Sequence, residues 1–170
     1  MSNMTDALPS KHELTDSLLH NNVKRVLVGV FCGLISGAFM LGLTFLLAKP
    51  GTTKLWWIQL VASVFYGGEA FAIDASSSIL MSGIALHFGV SAFCGLLMGK
   101  MTRTYSLSKL AAYGLVLGGF CWLATNMFGP DFIMPQALDA VSQWVRIGIY
   151  LPFTISLGLL LGLFSRILKI

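Results

Sequence analysis

Four polar residues in largely apolar surroundings are the candidates for chemistry in this 170-residue chain: His87, Ser91, Asn126 and Glu69. His87 and Ser91 are four residues apart, so on a helix they lie on one face, one turn from each other. An imidazole titrates near neutral pH, which suits a proton relay or a ligand contact. The alternative is a neutral His87 that bonds a serine, an asparagine or a carbonyl group on a neighbouring helix. No carboxylate lies in the same apolar segments to complete a relay, and this favours the alternative.

Asn126 falls near the end of an apolar stretch, where an interhelical or helix-end hydrogen bond is the simpler interpretation. The chain contains no phosphate-binding glycine loop, no His-Glu-x-x-His motif and no nucleophile elbow. Its three histidines at 12, 20 and 87 do not assemble a metal site within one chain if His87 is in a membrane. We therefore expect no catalytic residue, no cofactor, no metal and no enzymatic activity.

The composition indicates an all-α membrane protein. With 56% hydrophobic residues, 11% charged residues and a mean hydropathy of +0.81, the chain is too apolar to cover a water-facing globule. Four stretches lack Asp, Glu, Lys and Arg, and about twenty apolar residues suffice to cross a bilayer as a helix. We predict a cytoplasmic tail at 1–25 and one transmembrane domain at 26–170. The charge-free stretches are 26–48, 75–99, 110–129 and 147–165, and the predicted spans are about 26–48, 78–99, 110–129 and 147–166.

The segment 55–73 is the one ambiguity in the number of spans, since Glu69 is its only charged residue. Four spans place eight of the eleven Lys and Arg residues in the cytoplasm and three outside, whereas a fifth span places four inside and seven outside. Because positive residues favour the cytoplasmic side, we predict four spans, both termini in the cytoplasm, and an interfacial or re-entrant helix at about 55–68. Trp56 and Trp57 suit the headgroup level, and Gln59, Ser63 and Tyr66 form a modestly polar stripe.

Small residues recur at intervals of four along each predicted span, a pattern that lets helix backbones approach closely. The bundle is predicted to pack through these faces, and homodimerisation through the first span is the alternative. The predicted packing glycines are Gly29, Gly33, Gly37, Gly83, Gly95, Gly114 and Gly118.

Three parts of the chain resemble a group of small uncharacterised bacterial four-span membrane proteins, some loosely labelled sodium:proline symporters. They are the glycine-rich first span, the run Ala-Leu-His-Phe-Gly-Val-Ser-Ala-Phe-Cys-Gly-Leu at 85–96 and the segment 118–126. The resemblance covers 56–163, about two thirds of the chain, and its pattern is a His-Phe-x-x-Ser-x-x-x-Gly helix followed by a glycine-rich helix ending in Asn. A histidine expected early in the last span is replaced by Tyr150-Leu151-Pro152, which weakens the case for a paired-histidine site. The symporter label does not fit, since such carriers need many more helices.

These patterns favour a small multi-pass protein of a bacterial inner membrane that acts as a structural or assembly partner. Its expected partners are the lipid bilayer and either a second copy or another membrane protein. No nucleic acid is expected, because the Lys and Arg residues lie at span ends. One alternative is a small oligomeric transporter or channel in which His87, Ser91 and Asn126 line a polar path. A weaker alternative is a membrane enzyme that uses His87 or Glu69 on a lipid-like substrate.

Overall fold

A computed structural model describes residues 11–48, 53–101, 106–132 and 143–168, of which 11–19, 124–132 and 143–147 are described for their backbone alone. Every regular element in these ranges is helical, and they contain no strand, so the predicted all-α fold is confirmed. The elements are α1 (Lys11–Leu46), α2 (Trp56–Tyr66), a 3₁₀ turn (Gly67–Phe71), α3 (Ser77–Met101), α4 (Leu107–Phe132) and α5 (Gln143–Leu168).

Among the described residues, three helices are long and apolar enough to cross a membrane: His20–Leu46 within α1, all of α3, and Gly148–Leu168 within α5. The first helix is unbroken over its 36 residues. At 1.5 Å per residue it is about 54 Å long, well beyond the hydrocarbon thickness of a bilayer. The helix therefore extends from the apolar segment into the polar N-terminal sequence.

The ambiguous segment 55–73 does not form one long helix. Its helix α2 has 11 residues, about 16 Å, which is too short to cross a bilayer. The helix ends at Gly67, whose φ of 53° lies in a region that residues with a side chain rarely adopt. The Gly67 N–H donates to the carbonyl oxygen of Ser63, and the 3₁₀ turn then leads towards α3.

The helices pack as two groups joined by α1. Helix α3 contacts both α1 and α2, and α4 contacts α5. Helix α1 also packs against α5, with Phe31 and Phe164 in an edge-to-face contact at 5.7 Å between ring centroids. In contrast, α3 and α4 contact each other very little in the described part of the chain.

Large apolar side chains cover the outside of the bundle. Examples on α1, α3 and α4 are Phe39, Phe93, Val116 and Phe120, all of which are exposed. A soluble protein rarely exposes so much contiguous apolar surface, whereas a bilayer accommodates it. The outer surface is thus suited to lipid.

Candidate functional site

Helices α1 and α3 meet through glycines on both sides. A methyl group added at Gly33 would fall against the carbonyl oxygen of Ser91, and one added at Gly29 would fall against that of Gly95. The contact is reciprocal, because a methyl group at Gly95 would meet the carbonyl oxygen of Gly29. Rising residue numbers on α1 pair with falling numbers on α3, so the two helices are antiparallel. Their backbones touch directly, which is the approach that glycine permits.

The other predicted packing glycines also lie against neighbouring helices. Gly83 of α3 faces the carbonyl oxygen of Ile58 in α2, while Gly114 and Gly118 of α4 face Thr154 of α5. The stripe on α1 is occupied by α3 of the same chain. Not every glycine packs in this way: an added methyl group at Gly42, Gly89, Gly119 or Gly148 would meet no atom within 4 Å.

His87 of α3 is hydrogen-bonded to both α1 and α2 at this seam. Its Nε2 lies 3.0 Å from the carbonyl oxygen of Gly37 in α1, and its Nδ1 lies 3.3 Å from Nε1 of Trp57 in α2. Only 5% of His87 and 5% of Trp57 is exposed. A carbonyl oxygen only accepts and an indole N–H only donates, so the pair of contacts assigns the neutral tautomer with its proton on Nε2.

This tautomer leaves no ring nitrogen of His87 available to a second group. A protonated imidazole would carry a proton on Nδ1, where it would oppose the N–H of Trp57. A proton relay would therefore have to break the bond between α2 and α3 each time the ring changed its charge. The geometry fits a structural pair of interhelical hydrogen bonds better than a proton relay.

Ser91 and Glu69 differ in their surroundings. The hydroxyl of Ser91 donates to the carbonyl oxygen of His87 at 2.8 Å, and the residue is buried against Gly37. Glu69 lies in the 3₁₀ turn and is exposed. Asn126 lies in α4, and its side chain is outside the described residues. The structure thus brings His87 and Ser91 together in the α1–α3 seam.

Helix α2 is fastened to the bundle by side chains that were expected at the headgroups. Trp56 donates from Nε1 to the carbonyl oxygen of Thr44 at 3.1 Å, in the last turn of α1, where carbonyl groups lack helical partners. Gln59 is buried, donates to the carbonyl oxygen of Ala72 at 3.2 Å and accepts from the hydroxyl of Thr53. Ser63 is buried as well. The polar stripe on α2 therefore points into the protein at Gln59 and Ser63.

Trp57 and Gln59 are the residues of this cluster whose roles the sequence analysis missed. Trp57 lies 30 residues from His87 along the chain, and no local pattern connects two such positions. One signal was available: an indole N–H that becomes buried usually finds a hydrogen-bond partner. His87 is the strongest acceptor side chain in the apolar segments, so the two could have been paired on that ground.

No metal or redox centre is evident among the described residues. They contain no group of three His, Cys, Asp or Glu side chains that could hold a metal ion. The three cysteines Cys32, Cys94 and Cys121 are all free thiols. Cys94 of α3 is buried, and Cys121 of α4 is half-buried.

No protein-family model, no curated protein and no solved structure matches this chain. What can be said of its function therefore depends on the geometry of the bundle.

The two interhelical hydrogen bonds of His87 yield a first prediction. His87→Leu removes both ring hydrogen bonds and leaves the Trp57 N–H buried without its acceptor, so the melting temperature in detergent should fall. A hydrogen bond within a membrane is worth about 0.6 to 2 kcal/mol, and the loss should be of that order. His87→Asn should be better tolerated, since an amide both donates and accepts.

A double-mutant cycle separates the contribution of the His87–Trp57 hydrogen bond from the effect of lost side-chain volume. Trp57→Phe removes the indole donor and keeps an aromatic ring. If the two side chains bond each other, the destabilisation by His87→Leu should be smaller in the Trp57→Phe background than in the native chain. Strictly additive effects on the free energy of unfolding would show that the bond contributes nothing.

Proposed function

We propose that this chain is a four-span protein of a bacterial inner membrane that serves as a structural or assembly partner and not as a catalyst. Helix α4 is the fourth span, since its 26 residues are about 39 Å long. Helix α2 is an interfacial or re-entrant helix on the outer side, and both termini are cytoplasmic. Membership of the group of small bacterial four-span proteins that the sequence resembles is part of the same proposal.

The observation that supports a non-catalytic role most directly is the bonding of His87. Both ring nitrogens are engaged with other helices, and the neighbouring Ser91 hydroxyl is bonded to a backbone carbonyl group. Residues that line a polar path or perform acid–base chemistry need atoms free to contact a permeant ion or a substrate. Here the same atoms stabilise the arrangement of three helices.

The outer surface supports a partner within the bilayer. Small residues face inward at the helix contacts, and large exposed side chains, among them Phe39, Phe93 and Phe120, face outward from three different helices. The proposed partner is a second copy of the chain or another membrane protein, which binds through one of these apolar faces.

Topology gives a second prediction. The charge distribution places residues near Ser106 in the cytoplasm and those near Gln136, which lies outside the described residues, on the outer side. In intact cells, an impermeant maleimide should label Gln136→Cys and leave Ser106→Cys unlabelled until the cells are opened. Labelling of Ser106→Cys in intact cells would overturn the four-span topology.

A third prediction tests the assembly role. The photoreactive residue benzoylphenylalanine is introduced singly at Phe39, Phe93 and Phe120, and cells are irradiated. One of these outward faces should give a protein adduct of defined mass, identified by mass spectrometry as a second copy or as another membrane protein. Phe153, which is buried on α5, is the matched control and should give no protein adduct.

The alternative to an assembly role is transport, which a flux assay tests. The purified protein in proteoliposomes should dissipate an imposed pH or sodium gradient no faster than protein-free vesicles. A flux that depends on the protein and is abolished by His87→Leu, together with no adduct from any outward face, would replace the assembly role by a channel or carrier.

A further inference from the structure

A cavity of about 330 Å³ lies between the α1–α2–α3 group and the α4–α5 pair. All five helices contribute to its lining. Met40 of α1 lies on one side with Leu60 of α2 and Leu86 of α3, and Cys121 and Phe153 lie across from them on α4 and α5. This volume is at the lower end of the range found for ligand-binding pockets.

The cavity is poorly suited to water. A buried water molecule needs two to four polar partners. The polar groups that reach this cavity include the His87 ring, the Trp57 N–H and the Ser91 hydroxyl, and each of them is already hydrogen-bonded within the protein. The remaining lining is mainly aliphatic, aromatic or thiol. Cavities of this kind stay dry and accept apolar molecules.

Two valines mark where the cavity reaches the surface of the bundle. Val64 of α2 is 41% exposed and Val90 of α3 is 51% exposed, and both line the cavity. Val90 belongs to one of the helices long and apolar enough to cross the membrane, and it lies near the middle of that helix. With the membrane placement proposed above, on which this inference rests, the medium outside the cavity at this depth is hydrocarbon.

The size of the cavity limits what can enter. Its volume is about 330 Å³. A partner helix, which with its side chains is about 10–12 Å across, is too bulky for a space of this size. A single flexible hydrocarbon chain fits it.

We propose that this cavity binds one acyl chain of a bilayer phospholipid, which enters past Val64 and Val90 and extends towards Cys121. This site lies between the helices, inside the outward faces assigned to assembly, and it depends only on the placement of the helices in a membrane. The bound chain fills a space that the protein's own side chains leave empty between its two helix groups.

The test uses the full-length protein in vesicles of phosphatidylethanolamine and phosphatidylglycerol. These vesicles contain a small share of a phosphatidylcholine that carries a diazirine at the end of one acyl chain. After irradiation, peptide mapping should find acyl adducts on interior residues such as Leu60 and Cys121, in addition to the outward side chains. Val90→Trp and Val64→Trp each place a bulky ring at the opening and should remove most of the interior adducts. Val116→Trp is the matched control, because Val116 is 72% exposed on α4 and does not line the cavity.

The melting temperature of each variant is measured first, and at least one opening variant must melt like the Val116→Trp control. Absence of interior adducts in the native protein would overturn the proposal, and so would their persistence in a folded opening variant. Interior labelling by a free diazirine fatty acid but not by the phospholipid would show that the ligand is not a bilayer phospholipid. A benzoylphenylalanine at Val64 that crosslinks another protein in cells, with no interior lipid adducts in vesicles, would assign the cavity to a protein partner. Failure of the assembly experiment leaves this result unaffected, because the vesicles contain no other protein.

Discussion

Replacing Gly33 with leucine should separate α1 from α3 and destabilise the whole bundle. Even a methyl group at this position would fall against the carbonyl oxygen of Ser91 and close to the Cα of Gly95. Both obstacles are backbone atoms of a helix, so neither can move aside as a flexible side chain does. Overpacking typically costs about 1–3 kcal/mol, and the rigid surroundings place this change at the upper end. We expect a marked fall in melting temperature and loss of a monodisperse peak in detergent.

Gly42→Leu is the matched control on the same helix. Gly42 is exposed, and an added side chain there would meet no atom within 4 Å. The same chemical change should therefore leave the melting temperature close to that of the native protein. Equal tolerance of the two substitutions in one detergent would show that the α1–α3 contact is not close-packed.

The all-helical fold could be predicted from the sequence because apolar segments of bilayer length have few other ways to satisfy their backbone hydrogen bonds. The local geometry of 55–73 was harder to derive. Its apolar run is long enough for a span, and only the charge count argued against one. The structure shows why this segment is not a span. Gly67 adopts a positive φ, and α2 ends there after 11 residues. Gly67-Gly68 was visible in the sequence, but a glycine pair alone does not determine where a helix stops.

The candidate site shows a similar limit. The spacing of small residues identifies which face of a helix can approach another backbone, but it does not identify the neighbour. That Gly33 lies against Ser91, and Gly114 against Thr154, depends on which helices are adjacent. The bond between His87 and Trp57 depends on the turn that brings α2 back along α3, which no periodicity encodes. The cavity depends on all five helices at once and has no signature in any single segment.

Replacing Gly114 with leucine should release α4 from the bundle without unfolding the remainder. A methyl group at Gly114 would fall against the carbonyl oxygen of Thr154, so this change also places a side chain into a helix backbone. The reverse side of the seam is equally close, since Gly158 of α5 lies against the carbonyl oxygen of Leu110. The expected cost is again about 1–3 kcal/mol. In the described residues α4 contacts other helices chiefly through α5, whereas α1 has both α3 and α5 as neighbours.

This difference in connectivity separates the two glycine substitutions in an experiment that reports on each helix. Amide hydrogen exchange in detergent should rise mainly in α4 for Gly114→Leu, because opening this seam breaks few contacts elsewhere. For Gly33→Leu, exchange should rise in α1, α2 and α3 together, since α2 is held by bonds from Trp56 and Trp57 to the α1–α3 pair. Gly119→Leu, on α4 and with no atom within 4 Å of the added group, should change neither pattern. If Gly114→Leu raised exchange throughout the protein, α4 and α5 would have to be an integral part of one cooperative core, and the division into two helix groups would be wrong.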